Sequence, residues 1–172
     1  MHLINILYNL AVSGWLGGAA LFTFLLTPII FASYSRDIAG AMVGVLFPGY
    51  FRWGLACGAV AFLCQLIHRG RFAVVSLVII TIMLALTATQ AFILEPRAAE
   101  LKRSIASFAT TPPDDPHRVQ FRKLHGISMA ANLAVIAGGV VLVILSATLA
   151  PSAASREPGP EKTLTQPTTP AQ

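Results

Sequence analysis

The chain has 172 residues, of which 55% are hydrophobic and 11% charged, with a formal net charge of +5. Ordinary soluble domains carry roughly 25% charged residues, so this composition, with a mean hydropathy of +0.71, excludes a water-soluble globule of this size. The basic residues flank the apolar stretches instead of lining one face, which fits a membrane surface and not a nucleic acid.

Four apolar stretches dominate, at residues 3–31, 51–67, 72–94 and 121–150. A membrane helix needs roughly 20 mostly apolar residues to cross a hydrocarbon core ~30 Å thick, and the bilayer tolerates only backbone whose hydrogen bonds are closed internally. The prediction is an all-α, polytopic membrane protein: an antiparallel bundle of four transmembrane helices over residues 1–150, then a Pro/Ser/Thr-rich tail, 151–172, too polar to offset the entropy of ordering.

The first stretch lacks a basic flank and is longer than the apolar region of a signal peptide, so it is expected to be retained as a membrane helix. On a wheel of ~100° per residue, Asn5, Asn9, Leu16, Ala20, Thr23 and Thr27 share one stripe, and Gly14, Gly17, Gly18 and Leu21 lie opposite. The Gly14-x-x-x-Gly18 spacing, like Gly54-x-x-x-Gly58 in the second stretch, admits a close backbone. Packing within one bundle is expected of these glycines ahead of a homo-oligomer seam.

Residues 32–50 are too short to cross alone and too apolar to float, which predicts a short interfacial helix ending at Phe47-Pro48, since proline disfavours helix at the residue before it. Cys57 and Cys64, seven residues apart, are separated by ~10 Å on a helix, too far for a disulfide. Only His68, Arg69, Gly70 and Arg71 separate the second and third stretches, so a tight hairpin follows. The third stretch holds Thr87 and Gln90 and should bend or end at Glu95-Pro96-Arg97. A second interfacial element is expected over 97–108, then a break over 110–116 with a helix cap at Asp114 or Asp115.

The fourth stretch brings His125, Ser128 and Asn132 onto one face. Polar side chains at such depth are costly unless paired, and Glu95 ends the preceding helix near the level of Arg122 and His125. Glu95, His125, Ser128 and Asn132, with Asn9 and Gln90, therefore form the candidate polar pocket: an interhelical clamp, or a place for a proton, a small ligand or a cation. Orientation follows from Lys and Arg. Arg36, Arg52, Arg97, Lys102, Arg103, Arg118, Arg122 and Lys123 lie on one side, against Arg69, Arg71, Arg156 and Lys162 on the other, so residues 32–52 and 95–123 are predicted to face the cytoplasm.

Metal and haem are expected to be absent. His68 and His125 lie near opposite faces, roughly 30 Å apart, too far to be axial ligands of one haem, and no Cys or His pair has compact zinc spacing. Signatures of nucleophile and base, phosphate-cradling loops and paired catalytic carboxylates are missing, which argues against an enzyme.

The Trp15-Leu16-Gly17-Gly18 segment, the Pro28 exit, Leu46-Phe47-Pro48-x-Tyr50, Glu95-Pro96-Arg97 and Phe121-x-x-Leu124-His125-x-x-Ser128-x-x-x-Asn132 together resemble the four-helix membrane family represented by transmembrane protein 205. The resemblance covers residues 3–149 and implies a small four-helix membrane protein, and the compactness of the chain points to a bacterial inner membrane. That family is similar in arrangement to copper-resistance D-like membrane proteins and to a haem-dependent protoporphyrinogen oxidase group, which makes a haem- or copper-dependent oxidoreductase the alternative. Where those relatives usually have a His ahead of the Trp-x-Gly-Gly segment, this chain has Tyr8 and Asn9.

Overall fold

The computed structural model describes residues 2–67 and 71–148, and among these every regular element is helical. Four helices are long and apolar enough to cross a membrane: α1 (His2–Ser33), α2 (Arg36–Ile67), α3 (Ala73–Ser104) and α4 (Pro116–Thr148). The tail and residues 68–70 of the tight hairpin lie outside the described residues. At 32 residues each, α1 to α3 are about 48 Å long. That exceeds a ~30 Å hydrocarbon core, so each helix continues past its apolar stretch.

The surface is apolar. Leu3, Leu10, Val45, Val74 and Phe92 are all at least 65% exposed, and the most hydrophobic window of α4 is only 17% buried within the protein. Apolar side chains pointing outward along the membrane-crossing stretches of the helices are what a lipid solvent requires and water penalises. The inner helix is α2, whose window is the least hydrophobic yet 39% buried. Its small residues Gly54, Cys57, Gly58, Ala61 and Cys64 are buried.

That smallness shapes the α1–α2 seam. Trp15, at 3% exposure, lies over Gly54 and Gly58, while Trp53 lies over Gly14 and Gly18. Each tryptophan fills the notch left by the other helix's glycine pair, and the Trp53 Nε1–H donates to the Gly14 carbonyl at 3.1 Å. A methyl group at Gly58 would sit 2.7 Å from the Trp15 ring and 2.5 Å from Leu84. Both Gly-x-x-x-Gly motifs thus serve contacts inside the chain. Trp15 joins Val12, Ile80, Met83, Val135 and Leu142 in the core.

Two expectations about helix ends are corrected. Residues 32–50 hold no separate interfacial helix: after a two-residue break at Tyr34-Ser35, α2 runs from Arg36 straight through Pro48. Pro48 donates no bond and its ring crowds the Gly44 carbonyl, but ending the helix there would strand four carbonyls and four N–H groups in an apolar setting. Losing one bond is the smaller cost. Likewise α3 does not end at Pro96 and restart; it continues to Ser104.

Continuity past proline is achieved by widening. In α1 the segment Leu21–Leu26 is π-helical and ends just before Thr27-Pro28, and in α3 Gln90–Leu94 is π-helical and ends just before Glu95-Pro96. The Thr27 N–H bonds back five residues to the Phe22 carbonyl, and the Glu95 N–H to that of Gln90. One residue further on, the donor would be proline. The carbonyls of Thr23 and Ala91 therefore have no donor within their own helices.

The connection between α3 and α4 is tied down. Asp37, at the start of α2, accepts from the Ser107 hydroxyl at 2.6 Å and the Phe108 N–H at 2.8 Å. Asp115, one of the two predicted caps, accepts from the N–H groups of His117 and Arg118 at 2.9 and 3.1 Å. Pro116 takes the first helical position, where its missing N–H costs nothing.

Candidate functional site

Polar side chains from all four helices meet at one level. The Tyr50 hydroxyl donates to the Asn132 side-chain oxygen, the Asn132 amide donates to Thr23 Oγ1 at 2.6 Å, and the Ser128 hydroxyl donates to Gln90 Oε1 at 3.1 Å. Gln90 is 2% exposed and the other four are half-buried. The level is about 25 Å from the Ile67/Ala73 end, 17 residues along α2 and α3 at ~1.5 Å each, close to the far edge of a hydrocarbon core.

Local chemistry explains why these groups project here. Thr23 and Gln90 both sit in the π-helical segments, whose wide turn pushes side chains off the ordinary helical stripe. Ser128 and Asn132, four residues apart on α4, share a face and reach one to each widened helix. Tyr50 is held by aromatic packing, with its ring stacked on Phe22 at 4.5 Å and tilted against Phe51 at 5.1 Å.

Of the residues predicted from sequence, Gln90, Ser128 and Asn132 are in this cluster. Glu95, His125 and Asn9 are elsewhere. Glu95 faces α2, lining a recess with Arg52, Phe51 and Ala91, and the His125 ring lies parallel to Phe121 at 6.2 Å with its surface exposed. The expected pairing of Glu95 with His125 or Arg122 rested on their shared depth. A common level does not fix which neighbour a side chain faces, and Glu95 lies on the α2 side of α3. Asn9 is exposed on α1, while its neighbour Tyr8 packs against the core.

Thr23 and Tyr50 were not among the predicted site residues. Thr23 could have been found from Pro28, five residues on, and from its place on the polar stripe of α1. Tyr50 carried no signal beyond its place in the Leu46-Phe47-Pro48-x-Tyr50 motif.

The cluster is neutral and made of hydroxyl and amide groups, with the Thr23 carbonyl beside it. Among the described residues, no three His, Cys, Asp or Glu side chains come together as a metal-binding group. Cys57 and Cys64 are buried free thiols.

The chain is 32% identical over 137 residues to a protein of Aquifex aeolicus (strain VF5) described as "Uncharacterized protein", a match spanning 78% of this chain and 91% of the relative. No solved structure matches it. The shared region reaches well beyond one helix pair, and a family model covers residues 10–107, from the glycine seam of α1 through both π-helical turns to the loop clamped by Asp37. The chain belongs to the family described as "Domain of unknown function (DUF4149)".

Proposed function

We propose that this is a non-enzymatic, multi-pass protein of a bacterial inner membrane whose cluster of Thr23, Tyr50, Gln90, Ser128 and Asn132 binds a small cation or polar ligand between four antiparallel spans. The antiparallel reading is supported by contacts that climb α1 as they descend α2: Ile30 clusters with Ala39, Phe22 with Phe47, and Gly14 with Trp53 and Cys57. The bacterial setting is supported by the Aquifex relative, and a cytoplasmic location of residues 32–52 and 95–123 by their excess of Lys and Arg. Kinship with the transmembrane protein 205-like family rests on the motifs quoted above, the longest of which, at 121–132, lies beyond the region of the family match.

One observation carries the ligand reading: two helices widen into π turns at the level where polar side chains of all four converge, releasing carbonyls in the process. Released carbonyls and neutral hydroxyl oxygens in a membrane interior are the donor set used for weakly held monovalent cations. The test is thermal unfolding of the full chain in nanodiscs, with sodium, potassium or ammonium exchanged against choline at constant ionic strength. A bound cation raises the melting temperature in step with its concentration, and Asn132→Leu and Tyr50→Phe remove that response. If the variants lower stability while no cation or small polar solute moves the wild type, the cluster is an interhelical clasp and the ligand reading is wrong. A Soret band in the purified protein would replace it with the haem-dependent alternative.

A further inference from the structure

A half-open recess of about 160 Å³ lies between α2 and α3 and spans the level of the polar cluster. Its lining combines opposite charges, Arg52 and Glu95, with the apolar residues Pro48, Phe51, Leu55, Ala91 and Phe92. The Ala91 carbonyl lacks a helical donor, as derived above, and a helix carbonyl points toward the C-terminal turn, which here carries Glu95. Two acceptors, one of them anionic, thus belong to residues that line the same recess as Arg52.

Depth decides what meets this recess. Arg52 is about 22 Å and Glu95 about 33 Å from the Ile67/Ala73 end at ~1.5 Å per residue, straddling the boundary of a ~30 Å hydrocarbon core. Phe92 beside them is 71% exposed on the apolar outer face. A ligand arriving here has acyl chains against Phe92 and, deeper, Leu55, and a headgroup toward Glu95, to which the long Arg52 side chain extends.

We propose that the recess binds a zwitterionic phospholipid that carries a primary ammonium. Its phosphate sits on the Arg52 guanidinium, and its ammonium donates to the Glu95 carboxylate and the Ala91 carbonyl. A purely anionic lipid satisfies Arg52 but leaves Glu95 facing negative charge. A soluble cation satisfies Glu95 and leaves Arg52 unpaired.

The experiment uses the full chain in mild detergent, with bound lipid counted by native mass spectrometry after adding phosphatidylethanolamine, phosphatidylglycerol or N-acetylated phosphatidylethanolamine of identical acyl chains. The expected result is retention of phosphatidylethanolamine about tenfold over the other two, the scale of one charge-assisted hydrogen bond. Glu95→Gln should abolish the preference over phosphatidylglycerol, and Arg52→Gln should weaken both. Should Glu95→Gln fail to fold, the N-acetylated lipid makes the same comparison on the wild type. Equal retention of all three lipids, or binding of soluble phosphoethanolamine as tight as that of the lipid, overturns the proposal.

Discussion

The α1–α2 seam and the polar cluster hold helices together by opposite means. Along the seam, Trp15 and Trp53 interlock with glycines and only one side-chain hydrogen bond joins in, from Trp53 to the Gly14 carbonyl. In the cluster, three hydrogen bonds link four helices where two of them are widened and loosely wound. Lipid tails are as apolar as leucine, so burying apolar surface brings no net gain between membrane helices, and only close fit or a directional bond favours one partner over another. Regular helix permits close fit; widened helix gives it up and relies on directional bonds. The seam should therefore be stiff and intolerant of volume, and the cluster soft and tolerant of small shape changes.

The sharpest test of that contrast is Trp15→Ala, which empties the notch over Gly54 and Gly58 and should cost about 3–5 kcal/mol, read as a large drop in melting temperature in detergent. A small drop would mean that the seam collapses around the loss and is not stiff. Gly58→Ala comes next. The added methyl meets Trp15 and Leu84 inside ordinary contact distance, and overpacking of this kind costs about 1–3 kcal/mol.

On the other side of the comparison, Asn132→Leu strands the Tyr50 hydroxyl and deprives Thr23 of its donor, for a loss of about 1–2 kcal/mol. Adding Tyr50→Phe should then cost little more, because the two share one bond; full additivity in the double-mutant cycle would mean that the bond contributes nothing. At the polar end, Asp115→Ala removes the cap of α4 and should cost about 1 kcal/mol. The smallest effect belongs to Gly17→Ala. Nothing lies within 4 Å of a methyl there, so the change should be neutral or gain up to ~1 kcal/mol from helix propensity, in contrast to Gly58 in the packed seam.

The four helices were legible because hydropathy needs no knowledge of packing: each predicted span lies within a helix of the structure save at its margins, where 72 precedes α3 and 149–150 are not described. Glycine spacing likewise indicated close approach, though which tryptophan fills which notch depends on the partner helix. Of the six predicted site residues, Gln90, Ser128 and Asn132 meet in the cluster, the last two because the helical period holds along α4 from Ser128 to Asn132. Glu95 was placed by depth alone, and depth does not fix the direction in which a side chain projects. A π turn adds one residue without leaving a mark on hydropathy, and each position beyond it faces a direction that a fixed wheel does not give. The proline that follows each π turn is the one local sign, and at Pro48 the same residue type accompanies no such turn.

Both tryptophans of the chain sit in the one seam, so intrinsic fluorescence observes a single helix pair. Trp15 is 3% exposed and Trp53 is 54% exposed. Brominated acyl chains should accordingly quench Trp53 and spare Trp15, splitting the emission into a lipid-facing and an interior component. During unfolding, loss of that split times the separation of α1 from α2, while circular dichroism follows all four helices, so any lag between the two signals gives the order in which the bundle comes apart.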